Sequence, residues 1–129
     1  MLIRIDVGSD RPLFEQVAGA VRARVAAGSL SVGDRLPAAR ELGEALDINT
    51  HTVLRAYQQL REEGLVDLRR GRGAVIASGA APLVQLRDDI VHLVARAASL
   101  DIPPSALSAL VDEVARHSAD HSPLQNGTV

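Results

Sequence analysis

The stretch from residue 42 to residue 73 constrains this chain more than any other. An apolar helical pattern stops at Asp47 and Ile48 and restarts at Asn49, a residue type that caps helices by accepting a bond from a first-turn backbone N–H. The helix this opens is expected over residues 50–63, with Val53, Ala56, Tyr57 and Leu60 inward and Gly64 as its stop. Residues 65–68 and 74–77 then read as two short strands. Residues 69–73 join them as a hairpin loop containing Gly71 and Gly73. Helix, turn, helix and hairpin in this order predict a helix-turn-helix followed by a wing.

The flanking chain fits around that unit. Ile3 and Ile5 alternate with Arg4 and Asp6, which predicts a short edge strand. Pro12 suits the first position of a helix, and Leu13, Val17, Val21 and Val25 recur every fourth residue behind it, with Gly28 as its stop. Arg35, Leu36 and Pro37 should be extended, because the residue before proline avoids the helical region. A short helix over residues 38–46 follows, with Leu42, Ala45 and Leu46 inward. Beyond a small-residue linker at 78–82 the pattern becomes purely helical. Leu83, Leu86, Ile90, Leu93, Val94 and Ala97 form one stripe, Pro103 and Pro104 interrupt, and Leu107, Leu110, Val111 and Val114 form a second. The fold class expected is mainly α with a small β-hairpin wing, plus a C-terminal helical hairpin. Its expected division is a winged helix-turn-helix domain at 1–78, a two-helix segment at 79–117 and a flexible polar tail at 118–129.

Two helices of this length cannot enclose a core of their own. Their apolar stripes can pack back onto the N-terminal domain or pair with the same hairpin of a second chain. The second option is preferred, since helix-turn-helix proteins commonly read two half-sites as dimers.

Composition narrows the function classes. There is no cysteine, which excludes disulfides and thiolate metal sites. No apolar run approaches the roughly 18 residues needed to span a bilayer, and the N-terminus lacks a signal-peptide layout. A soluble, cytoplasmic protein with no membrane partner is expected. His117 and His121 are one helical turn apart but have no third ligand of defined spacing, so no metal site is assigned. No cofactor cradle, nucleophile elbow or carboxylate pair is present, and no enzyme activity is expected. Net charge is −2, yet all fourteen basic residues are Arg, and Arg69, Arg70 and Arg72 fall within four residues. A local cationic tip on a neutral body suits a small DNA reader, because phosphate attraction acts locally at physiological salt.

The candidate contacts follow from groove chemistry. In a helix-turn-helix the start of the second helix faces base edges in the major groove; here that is Asn49, Thr50, His51 and Thr52. Thr50 and Thr52 can bond phosphate or touch a thymine methyl, and Asn49 and His51 can bond phosphate or base. For Asn49 a capping role is preferred over direct base readout, and a cap can also meet phosphate. Arg55, one turn on, can reach the backbone or stay solvated. Arg40 suits phosphate or guanine, with Arg35 as a further cation. At the wing, Gly71 and Gly73 permit a tight tip, and Arg70 and Arg72 are drawn to the negative potential of a narrow groove.

These motifs together resemble the winged-helix domain of the GntR family of bacterial transcription regulators. The resemblance rests on Pro12 to Val17, Gly33 to Leu42, Asn49 to Val53, Glu63 to Val66 and Arg70 to Gly73. The run from Ile48 to Val53, with Arg55, Ala56 and Tyr57 and the short two-helix tail, is similar to the YtrA-type subfamily. The resemblance implies a homodimeric regulator, a repressor, on an inverted-repeat DNA operator. It carries family DNA contacts onto Arg40, Thr50, His51, Thr52 and Gly71 with its flanking arginines. Two departures stand out. Ala38 occupies a position where the family usually has Ser, and Thr50 with His51 replaces the commoner Arg-Thr or Pro-Asn. The operator therefore does not carry over. The competing reading is a winged helix used for protein–protein contact without DNA specificity. A small-molecule effector is open: residues 79–129 are too few for an enclosed pocket in one chain, which leaves the space between two paired hairpins or no effector.

Overall fold

The computed structural model describes residues 3–120. Eight elements follow one another: α1 (Leu13–Ala26), α2 (Ala39–Leu46), α3 (Thr50–Glu62), β1 (Val66–Arg69), β2 (Gly73–Ile76), a 3-10 turn (Ser78–Ala80), α4 (Pro82–Ser99) and α5 (Pro104–Asp120). The architecture is the mainly helical one expected, with the two strands as the wing. The chain divides into two compact units, one up to Arg87 and one from Asp88 onward.

In the first unit the helical stripes converge on one core. Val17, Ala18, Val21 and Val25 of α1 meet Val53, Ala56, Tyr57 and Leu60 of α3, with Leu42 of α2 and Val66, Ala74 and Ile76 of the wing. Large aromatics are nearly absent, so this core is filled by aliphatic side chains. Its one buried aromatic hydroxyl is satisfied: Tyr57 Oη donates to the carbonyl of Pro37 at 2.7 Å. Burial, and secondarily the charge of Glu41, pushes the Tyr57 phenol well above its ordinary pKa. It is therefore a donor throughout the physiological range.

Three local expectations are corrected. No strand forms at residues 3–6. Ile3 is buried and Ile5 half-buried as the alternation implied, but the backbone pairs with a side chain. Asp6 N–H donates to Gln16 Oε1 at 2.6 Å, and Gln16 Nε2 donates to the carbonyls of Asp6 and Arg11 at 2.9 and 3.0 Å. Alternation reports which side is covered, not what the backbone bonds to. Ala45 is exposed rather than inward, because α2 is only eight residues long and turns its Leu42 and Gly43 side to the core. Finally, α5 continues through Asp120, so residues 118–120, expected in the tail, are helical. The remainder of the expected tail, with His121, lies outside the described residues.

In the second unit a tight turn joins α4 to α5. Ile102 N–H donates to the carbonyl of Ala97 at 2.9 Å, and Asp101 adopts a left-handed φ of 60°. Ala97 is buried, Ile102 and Leu107 half-buried. No helix among the described residues is long and apolar enough to cross a membrane.

Candidate nucleic-acid interface

The turn between α2 and α3 is set by its backbone. Asp47 closes α2 in the left-handed region, with φ 56° and ψ 46°, a conformation that aspartate tolerates better than most residues. Ile48 N–H then donates to the carbonyl of Gly43 at 2.9 Å. A Cβ at Gly43 would lie 3.0 Å from the Ile48 carbonyl oxygen and 3.4 Å from Thr50 Cα, so the close approach of the two helices uses the missing side chain.

Asn49 then caps α3. Its Oδ1 accepts from His51 N–H at 2.8 Å. The cap engages the carbonyl end of the side chain, and Asn49 itself is exposed. Thr50 and Thr52 are half-buried and His51 is exposed. Arg40 stands open on α2, its side chain 85% exposed, with Glu44 3.5 Å away. An exposed pair of this kind is weak and gives way to a stronger anion.

The wing is a two-stranded antiparallel ribbon with Val66 opposite Ile76 and Arg69 opposite Gly73. Its tip turns through Arg70, Gly71 and Arg72. Gly71 has φ 81°, where a side chain would be strained. Arg70 and Arg72 are both exposed. The extended connector at residues 33–36 lies along β2 almost as a third strand. Arg35 bridges Val75, Leu36 N–H donates to Ala74, and Ile76 N–H donates to Asp34, the last two at 2.9 Å. Arg35 also reaches the tip, its Nε donating to the carbonyl of Arg72 at 3.1 Å. Between connector, α3 and wing runs an open cleft of about 1140 Å³, lined among others by Arg35, Leu36, Leu54, Tyr57, Leu68 and Arg72.

Several features were invisible in the sequence because their partners are remote. Arg55 lies with its guanidinium 3.8 Å from the ring centroid of Phe14, a cation–π contact to α1. Arg22 grips Glu63 with two bonds of 2.7 and 2.6 Å, and Gln59 Nε2 adds a third at 3.0 Å. These bonds hold the Glu63 carboxyl below its usual range against the opposing effect of burial, and they raise Arg22. No local signal in the sequence links residues 22 and 63. Of the residues on the C-terminal stripes, Leu83 packs against the core of the first unit and Leu107 is half-buried. Leu86, Ile90, Leu93, Val94, Leu110, Val111 and Val114 are 45–56% exposed.

Comparison with known proteins agrees with this architecture. Residues 13–76 match the family described as bacterial regulatory proteins, gntR family. The chain is 37% identical over 79 residues to the HTH-type transcriptional repressor YtrA of Bacillus subtilis, covering 61% of each chain. It is 33% identical over 84 residues to the uncharacterized HTH-type transcriptional regulator YhcF of the same organism, covering 65% of this chain and 69% of YhcF. The chain thus spans a little under two thirds of the length of the repressor. Among solved structures, YtrA from Sulfolobus acidocaldarius, a GntR-family transcription factor, superposes with a TM-score of 0.57 at 32% identity, over 77% of this chain and 99% of that one.

Proposed function

The chain belongs to the gntR family of bacterial regulatory proteins, and from that premise we propose that it is a transcription regulator, not an enzyme, acting in the cytoplasm as a homodimeric repressor on an inverted-repeat DNA operator. The observation that carries this reading is a pair of exposed elements on one winged helix: the polar opening of α3 and the arginine-flanked tip of the wing. Helix starts of this kind meet base edges, and cationic tips of this kind enter narrow grooves.

The roles divide by chemistry. Thr50, His51 and Thr52 offer short donors and acceptors to bases and phosphates. Asn49, its Oδ1 committed to capping, offers its amide to phosphate. Arg40 anchors the backbone, and Arg70 and Arg72 on either side of Gly71 enter the adjacent groove. Arg35 braces the tip through the Arg72 carbonyl, beside Gly73, and adds positive charge near the backbone. Arg55 lends charge from its seat over Phe14. The exposed leucines, isoleucine and valines of α4 and α5 support pairing with a second copy, since apolar stripes on consecutive helices are stabilised when covered. Repression would follow from occupancy, the dimer obstructing polymerase at the operator. The relatives' names, repressor and transcriptional regulator, support the same class.

The test is an electrophoretic shift with the DNA upstream of the protein's own coding sequence. A retarded complex that survives excess unrelated duplex is expected. A complex that unrelated duplex competes away equally well would remove sequence specificity. No complex at low salt would turn the reading toward a protein–protein module.

A further inference from the structure

Helix α3 keeps one side for the core and one for solvent. Val53, Ala56, Tyr57 and Leu60 are at most 3% exposed. On the other side His51, Leu54, Arg55 and Gln58 are all exposed, and their spacing of three, four and seven places them on one helical face. Three of these four are polar or charged. The fourth, Leu54, is 44% exposed. Arg55 borders this strip on the side of α1, where it sits over Phe14. Leu54 borders it on the side of the wing, lining the cleft with Leu36, Tyr57 and Leu68. A lone exposed leucine is ordinary on a protein surface. This one is distinguished by position: it stands about 4.5 Å along the helix axis from His51, on the face that a duplex would meet.

We propose that Leu54 is a specificity-determining residue that packs on the C5 methyl of a thymine in the major groove, next to the base pair addressed by His51. The inference rests on the DNA-binding reading above and names a contact within it. Leucine has no donor or acceptor. Against the O6 and N7 of guanine, or the amino groups of adenine and cytosine, it would strip water from polar edges and return no hydrogen bond. The thymine methyl is the one apolar feature that the four bases display in the major groove. A leucine among polar neighbours therefore favours thymine by attraction and disfavours the other bases by desolvation.

The test begins by selecting preferred duplexes from a random pool with the full-length protein. Each thymine of the selected site is then replaced by deoxyuridine, which removes only the methyl. One thymine per half-site should weaken wild-type binding about four-fold, the effect of burying one methyl-sized group. The same replacement should leave Leu54→Ala and Leu54→Gln unaffected. Both variants should keep the helical circular dichroism and thermal melting of the wild type, which reports an intact fold. Insensitivity of every thymine in the wild type would overturn the proposal, as would equal sensitivity in the wild type and both variants. A pool that yields no enriched site would instead overturn the DNA-binding reading and carry the role of Leu54 down with it. An enriched site with insensitive thymines refutes Leu54 alone.

Discussion

Arg70 and Arg72 flank a glycine held at positive φ, and among the described residues neither forms an ion pair. Each that meets a phosphate should contribute about 0.9 to the slope of log affinity against log salt. The double change Arg70→Ala, Arg72→Ala is expected to weaken binding to all sequences alike and to flatten that slope by about 1.8. Titrations by fluorescence anisotropy at several salt concentrations measure it, and an unchanged slope would make these arginines solvated loop charges. At this scale legibility depends on range. The cap at Asn49 was readable because its partner is two residues away. The brace from Arg35 to the Arg72 carbonyl and the seat of Arg55 over Phe14 were not, because an arginine on an exposed position looks the same whether its partner is solvent, phosphate or a remote ring. Leu54 is silent in the sequence for the opposite reason: outside the core stripe, an apolar residue carries no signal until its face is known.

Among the elements, α1 and the end of α3 are tied by Arg22 and Glu63. The Glu63 carboxyl has a folded pKa below its unfolded value, chiefly through the Arg22 bonds. A depressed carboxyl stabilises the fold above the unfolded pKa and loses that effect as pH falls through the folded one. The two side chains are 35% and 29% exposed, so screening holds the effect to about 0.5–1 kcal/mol. Glu63→Gln should therefore unfold at lower denaturant than wild type above about pH 5, with the gap closing below about pH 4. A gap that stays constant across this range would show that the carboxylate charge contributes nothing. The 3-10 turn at Ser78–Ala80 is tied to the end of α3 differently. A Cβ at Gly79 would run into the carbonyl oxygen of Gly64, and Ala80 is fully buried beside it. Gly79→Ala should cost about 1–3 kcal/mol, as overpacking does in tight sites. Wild-type stability in a urea melt would mean that the turn shifts at no cost. In the sequence residues 78–82 read only as a small-residue linker, since small side chains mark a flexible segment and a close backbone contact alike.

For the whole molecule, the question is what covers α4 and α5. Leu110 and Val114 lie one helical turn apart and are each 56% exposed. If a second copy covers them, Leu110→Glu with Val114→Glu should convert a dimer to a monomer in sedimentation while leaving helical content intact, because buried unpaired charge is far costlier than exposed charge. Operator affinity should fall with the loss of the second half-site. A variant that sediments as wild type would place the partner surface elsewhere. The sequence by itself determined the order of the helices and of the two wing strands, the cap of α3, the glycine stops of α1 and α3, their inward stripes and the cationic tip. Each of these depends on neighbours within a turn or two, where propensity and periodicity act. Only the tertiary structure decided that Arg22 meets Glu63, that Gln16 replaces a strand partner for Asp6, that the connector lies along β2, and that Leu54 lines the cleft beside the wing. Those contacts join residues far apart in the chain, and their geometry exists only once the core of α1, α3 and the wing has closed. The helix-turn-helix with its wing is thus written locally, whereas the face it turns toward its partner is set by packing.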